Sequence, residues 1–160
     1  MQFARHMGFE TVAVARGADK RPLAIELGAS DYIDSSATSP SAALAARGGA
    51  KVILATAPSA RAVAEVIDGL CVGGQLLLVA AVPEPLTIPA LPLIAARRSI
   101  QGWPSGDAKD SEETLAFAAQ TGIRPRVETY PLPDVEKAFA RMADGKARFR
   151  AVLTMEDGEG

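Results

Sequence analysis

The run Thr11-Val-Ala-Val-Ala15, the stretch Asp19 to Leu27 closed by Gly28, and the run Asp31-Tyr-Ile33 decide the fold. The first and last are short and apolar, as strands are, while the middle is helical in spacing and stopped by glycine. A helix between two strands carries the chain back to its starting side, so the strands lie parallel. The same alternation continues downstream. Pro40 to Arg47 reads as a helix and Lys51-Val-Ile-Leu-Ala55 as a buried strand. Pro58 to Leu70 reads as a helix with proline in its first turn. Gln75-Leu-Leu-Leu-Val-Ala80 is the most apolar strand. Strands apolar on both faces and separated by helices imply a doubly wound parallel α/β sheet with right-handed crossovers.

Further out the pattern loosens. Pro83 to Pro92 reads as a proline-rich loop, Ser99-Ile-Gln-Gly-Trp103 as a strand and Ser111 to Gln120 as a helix. Pro125 to Tyr130 is a predicted strand, Pro133 to Met142 a helix followed by Gly145, and Arg148 to Met155 a last strand. The acidic end Glu156-Asp-Gly-Glu-Gly160 is expected to fray. Phe3, Ala4 and Met7, followed by Gly8, read as the end of a helix that has no N-cap and no preceding strand. The expectation is a chain entered partway through an element, truncated at its N-terminus.

Composition narrows the function classes. With 160 residues, 48% of them hydrophobic, the chain can build a core. Seventeen Lys and Arg against nineteen Asp and Glu give a net charge of −2, which provides no field to attract nucleic acid or an anionic membrane. The single cysteine, Cys71, excludes an internal disulfide framework and points to the cytoplasm. No signal-peptide pattern opens the chain, and no apolar run reaches membrane-spanning length. The acidic groups Asp107, Asp110, Glu112 and Glu113 cluster where a helix opens and suit its dipole. No Gly-x-Ser-x-Gly elbow supports a serine nucleophile.

Several stretches, in order and spacing, carry a family resemblance: Ala13-Val-Ala-Arg-Gly17, Glu26-Leu-Gly-Ala29, Tyr32-Ile-Asp34, Gly74-Gln-Leu-Leu-Leu78, Gly102-Trp-Pro-Ser-Gly106 and Gly145-Lys-Ala-Arg148. Together they resemble the second half of the zinc-dependent medium-chain alcohol dehydrogenases, over about residues 1–155. The resemblance implies a Rossmann-like domain of sheet order 3-2-1-4-5-6, here lacking its first strand and the Gly-rich turn that approaches the pyrophosphate. It implies an incomplete NAD(P)-binding domain over 1–123, a return segment of the catalytic domain over 124–155, and a disordered tail over 156–160.

The resemblance also places candidate cofactor contacts. Ala15 stands where an NAD enzyme usually carries an acid. Its neighbours Arg16 and Lys20 could meet the 2′-phosphate of NADP, or could be a solvated surface pair. NADP is therefore the expected cofactor, with NAD the alternative. Thr56 and Ala57 follow a strand where relatives contact the cofactor, although Thr56 could instead cap the next helix. Val79, Ala80 and Ala81 lie where relatives face the nicotinamide carboxamide. Arg148 and Arg150 match a pyrophosphate-binding arginine, with alternation setting both on one strand face and Arg150 the favoured one. Trp103 fits core or a subunit interface as well as a cofactor wall.

The resemblance implies a hydride exchange between a small alcohol or aldehyde and the nicotinamide in the intact enzyme, with a homo-oligomer as a further expectation. The zinc ligands of that family precede this region, and His6 and Cys71 are the only soft candidates here. The chain alone is expected to be inactive and to bind cofactor only. A non-catalytic nucleotide-binding module and a non-functional gene remnant are the alternatives.

Overall fold

The computed structural model describes residues 1–155, which divide into two compact units, Met1–Leu115 and one beginning at Ala116. The boundary falls inside the helix α6 (Ala108–Thr121). The tail 156–160, expected to fray, lies outside the described residues.

In the first unit helices and strands alternate. They are α1 (Gln2–His6), β1 (Val12–Ala15), α2 (Arg21–Glu26), β2 (Asp31–Asp34), α3 (Pro40–Ala45), β3 (Ala50–Ala55), α4 (Ala60–Ala64), β4 (Leu70–Leu78), α5 (Ala90–Ala96) and β5 (Ser99–Gly102). β1 pairs with β2, and β3, β4 and β5 form a second sheet in that order, every pairing parallel. This is the expected parallel, Rossmann-like α/β architecture. Among the described residues no strand lies between β1 and β3, and the two do not pair with each other. Each keeps one open edge, as a sheet without its expected first strand requires.

Alternation along β4 shows why one face is well packed. Leu76, fully buried, points into a cluster with Ala55, Val63, Ile67 and Leu70, against which Leu93 and Ile100 pack. Gln75, Leu77 and Val79 point the other way, where Val52, Leu54 and Trp103 are also exposed. A second cluster joins Ala24 and Ala29 to Tyr32, with Ala13 and Ala15 against it.

Three elements differ from the sequence expectation. The helix expected over Pro58 to Leu70 is only α4 followed by a 3-10 turn at Ile67–Gly69, and β4 begins at Leu70, not Gln75. The strand runs through Gly73 and Gly74, because Ala50 pairs with Leu70 before the register shifts. The close approach needs Gly49, at φ +83°, where a Cβ would lie 2.6 Å from the Cys71 nitrogen. In the supposed loop, α5 forms with Pro92 in its first turn, where a proline sacrifices no helical hydrogen bond.

Arg98 ties β5 to the start of β4. Its guanidinium, with the side chain 14% exposed, donates to the Leu70 carbonyl from Nε (3.1 Å) and Nη2 (2.8 Å), and to the Asp68 carboxylate from Nη1 (2.9 Å). Arg98→Ala should cost about 1.5–3 kcal/mol, the range for hydrogen bonds to a charged group. Arg98→Lys should recover little, because a point ammonium cannot reproduce the fork. Urea unfolding of the three proteins checks this, and equal midpoints would refute it.

In the second unit β6 (Val127–Pro131) and β7 (Arg150–Thr154) pair in parallel, and α7 (Val135–Ala143), whose Ala138 is buried, packs against both strands. β7 starts two residues later than the expected Arg148. Glu128 on β6 organises this unit. Its Oε2 accepts from Arg141 Nε and, at 3.0 Å, from the Tyr130 hydroxyl. Its Oε1 accepts from Arg141 Nη2 at 3.0 Å and from the Arg148 backbone N–H at 2.9 Å. The Arg141 hydrogen bond above all holds the Glu128 carboxyl down at about 2.

Candidate functional site

Each candidate residue in the first unit lies at or just past the carboxyl end of its strand, the end where open parallel α/β sheets bind ligands. Ala15 closes β1, and its register partner on β2 is Asp34. The chain then turns through Gly17, at φ +87°, where a Cβ would come 2.4 Å from an Asp19 oxygen. Only glycine fits that turn without strain.

The turn is pinned by side chains. The Tyr32 hydroxyl lies within reach of two carbonyls, Ala15 at 3.1 Å and Gly17 at 2.6 Å. The Gly17 N–H donates to Asp34 Oδ1 at 2.8 Å, and the same oxygen accepts from the Ser36 N–H (2.9 Å) and hydroxyl (2.5 Å). The Ser36 hydroxyl and the two N–H donors hold the Asp34 carboxyl below the usual carboxylate range. Burial, then the Asp34 and Asp19 charges, push the Tyr32 phenol up, so it stays a protonated donor.

Lys20 is committed: its ammonium folds back onto the Arg16 carbonyl and lies 3.5 Å from Asp19 Oδ1. The exposed Arg16 guanidinium makes no hydrogen bond or ion pair among the described residues. Of the two cations expected at this end, Arg16 is the available one.

Thr56 and Ala57 follow β3 and are exposed. The cap of α4 is Ser59, whose hydroxyl accepts from the Ala62 N–H at 3.4 Å, so the competing role for Thr56 falls away. Val79, Ala80 and Ala81 follow β4, with the Val79 N–H donating to the Ala55 carbonyl at 3.2 Å. The ends of β3 and β4 are thus side by side, and the two groups of candidates leave from neighbouring strands. Beside them Leu54, Gln75, Leu77, Val79, Gln101 and Trp103 line a shallow depression of about 240 Å³. Trp103, 57% exposed, is not core.

Arg148 and Arg150 belong to the second unit. Arg148 precedes β7, so strand alternation does not place it on a face with Arg150. Its Nη1 lies 3.3 Å from the Gly145 and Ala147 carbonyls, whereas Arg150 opens β7 with its side chain exposed.

Sequence reasoning left Tyr32 and Asp34 out of the site. Asp34-Ser-Ser36 carries the local signal of a side chain bonding its own backbone two residues on. The bonds back to Ala15 and Gly17 cross between strands and have no local signature.

No group of three or more His, Cys, Asp or Glu side chains converges to hold a metal among the described residues. His6 lies on α1 and Cys71 on β4, with the Cys71 thiol turned to the Val72 carbonyl at 3.4 Å. The described residues do not fit a zinc centre. Among the described residues no helix is long and apolar enough to cross a membrane.

Parallel sheets joined by helices, with a pinned turn at the carboxyl end of β1, define a dinucleotide-fold type of domain. The family model described as zinc-binding dehydrogenase matches residues 1–146, and the chain belongs to that family. It is 43% identical to the alcohol dehydrogenase patD of Penicillium expansum over 97% of this chain and 45% of that protein. It is 41% identical to the alcohol dehydrogenase notN of an Aspergillus strain over 98% of this chain and 46% of that one. The alcohol dehydrogenase of Aeropyrum pernix shares the fold, with a TM-score of 0.85 at 24% identity, over 95% of this chain and 45% of that one. The chain spans about half the length of the relatives it matches.

Proposed function

We propose that this chain is the cofactor-holding portion of an NAD(P)-dependent alcohol dehydrogenase and that its first unit binds the adenosine end of NADP. The observation that carries the reading is the turn after β1, fixed at its backbone with the Arg16 guanidinium free. A guanidinium beside an alanine suits a 2′-phosphate better than the two ribose hydroxyls of NAD. NAD, the alternative, would lack the carboxylate acceptor usual at Ala15.

Thr56, Ala57 and the backbone of Val79 to Ala81 would flank the nicotinamide half, and Arg148 and Arg150 are candidates for the pyrophosphate. The dinucleotide, when bound, supplies hydride exchange with a small alcohol or aldehyde. The residues of this chain bind and orient it. Membership of the zinc-binding dehydrogenase family supports this, and the single cysteine supports a cytoplasmic setting. The exposed pair Leu91 and Ile94 on α5 would suit contact with a second copy.

Calorimetric titration with 2′,5′-ADP and 5′-AMP tests the reading. The chain should prefer 2′,5′-ADP. Arg16→Ala should weaken that ligand by about tenfold, the worth of one charge-assisted contact, and leave 5′-AMP nearly unchanged. Equal affinities for the two ligands before and after the substitution would refute the NADP assignment.

A further inference from the structure

We infer that Tyr32 and Asp34 on β2 are positioning residues for 2′-phosphate recognition, acting through Arg16 by locking the Ala15–Gly17 turn from the neighbouring strand. The inference rests on the reading of the β1 end as the adenosine site and adds how that site is held. Three carbonyls and one N–H of the turn are occupied. The Tyr32 hydroxyl donates its one proton to the Gly17 carbonyl, with the Ala15 carbonyl, which accepts from the Ser35 N–H, also within its reach; Lys20 bonds the Arg16 carbonyl, and Asp34 takes the Gly17 N–H. With these groups held, the turn has few other backbone conformations, and the direction in which Arg16 leaves the chain is set before ligand arrives. A guanidinium presented from a fixed backbone loses less freedom when it closes on an anion, which raises affinity without adding a contact.

The register gives the reason these two residues do it. Ala13 pairs with Tyr32 and Ala15 with Asp34, so both side chains rise from β2 on the face shared by the two alanines. The small alanines leave room for the phenol to reach past β1 to the turn. The ring is buried with Ala24 and Ala29, which holds its hydroxyl in place. Asp34 is held in turn by Ser36. Neither residue needs to touch the nucleotide.

Tyr32→Phe keeps the ring in its pocket and deletes only the hydroxyl that ties β2 to the turn. Asp34→Ala removes the acceptor for Gly17. Each should lower the affinity ratio of 2′,5′-ADP to 5′-AMP by about three- to tenfold, the size of a coupling between residues in one network. Simple destabilisation would weaken both ligands alike and leave the ratio intact. In an Arg16→Ala background neither substitution should change the ratio further. The proposal is overturned if Tyr32→Phe leaves the ratio unchanged in the otherwise native chain, or lowers it equally when Arg16 is already absent. If the native chain binds neither nucleotide, the adenosine-site reading fails and takes this inference with it. If it binds both and the ratio ignores β2, this inference alone fails.

Discussion

Concentrated alone, the 160-residue chain should self-associate through the open edges of β1 and β3, and its unfolding should be shallow and concentration-dependent. Strands of a parallel sheet are normally covered on both faces and paired on both sides. Here Val14 is 39% exposed, Val52 52% and Leu54 57%, beside backbone N–H and C=O groups that no strand satisfies among the described residues. Water can bond those groups, so their cost is modest, but an apolar open edge is a template for another chain. The stability loss comes from the side chains. Full burial of one Val or Leu contributes about 1.5–3 kcal/mol, so three left half-exposed forfeit a few kcal/mol of a typical 5–15. Sedimentation over a concentration series measures the association, and Val52→Lys with Leu54→Lys should restore monomer by placing charge beside the edge. A monodisperse monomer with reversible, cooperative melting and slow amide exchange along both β1 and β3 would refute the expectation.

How far the sequence could be read follows from the range of the forces involved. The alternation from Thr11 to Ile33 reported β1, α2 and β2 because apolar spacing and the stop at Gly28 are local. The early start of β4 was hidden, since it rests on the pairing of Leu70 with Ala50, a contact that no local spacing reports. α5 was hidden by Pro92, which breaks a helix in its interior but not in its first turn. The candidate site divides along the same line. Ala15, Arg16 and Lys20 come from the resemblance and their place at the end of a strand, but Lys20 is spent on its own turn. The clamp by Tyr32 and Asp34 spans two strands, and so no window of local sequence contains it. Helix capping went to Ser59 and not Thr56 because the helix starts two residues beyond Pro58.

Acid should weaken the second unit through Glu128. Glu128 accepts from both nitrogens of the Arg141 fork, from the Tyr130 hydroxyl and from the Arg148 N–H, so one carboxylate joins β6, α7 and the approach to β7. Its carboxyl is held at about 2 against an ordinary 4.5, with the Arg141 side-chain bond the largest cause. A carboxyl depressed on folding contributes stability that is fully present above the unfolded value and is lost as pH falls through the folded one. The contribution should therefore be intact above about pH 4.5, shrink below it, and be nearly gone once the pH passes below about 2. Glu128→Gln should destabilise this unit strongly at neutral pH, because the amide keeps one acceptor but turns an N–H₂ group toward donors on Arg141 or Arg148. Near pH 2 the native chain has itself lost much of the charge, so the two proteins should converge. Tyr130→Phe removes a single bond to the same carboxylate and should give a smaller loss with the same pH trend. Thermal midpoints of the three proteins between pH 7 and pH 2 measure it. A native-to-Gln gap that stays constant across that range would mean that the charge of Glu128 does not hold the unit together.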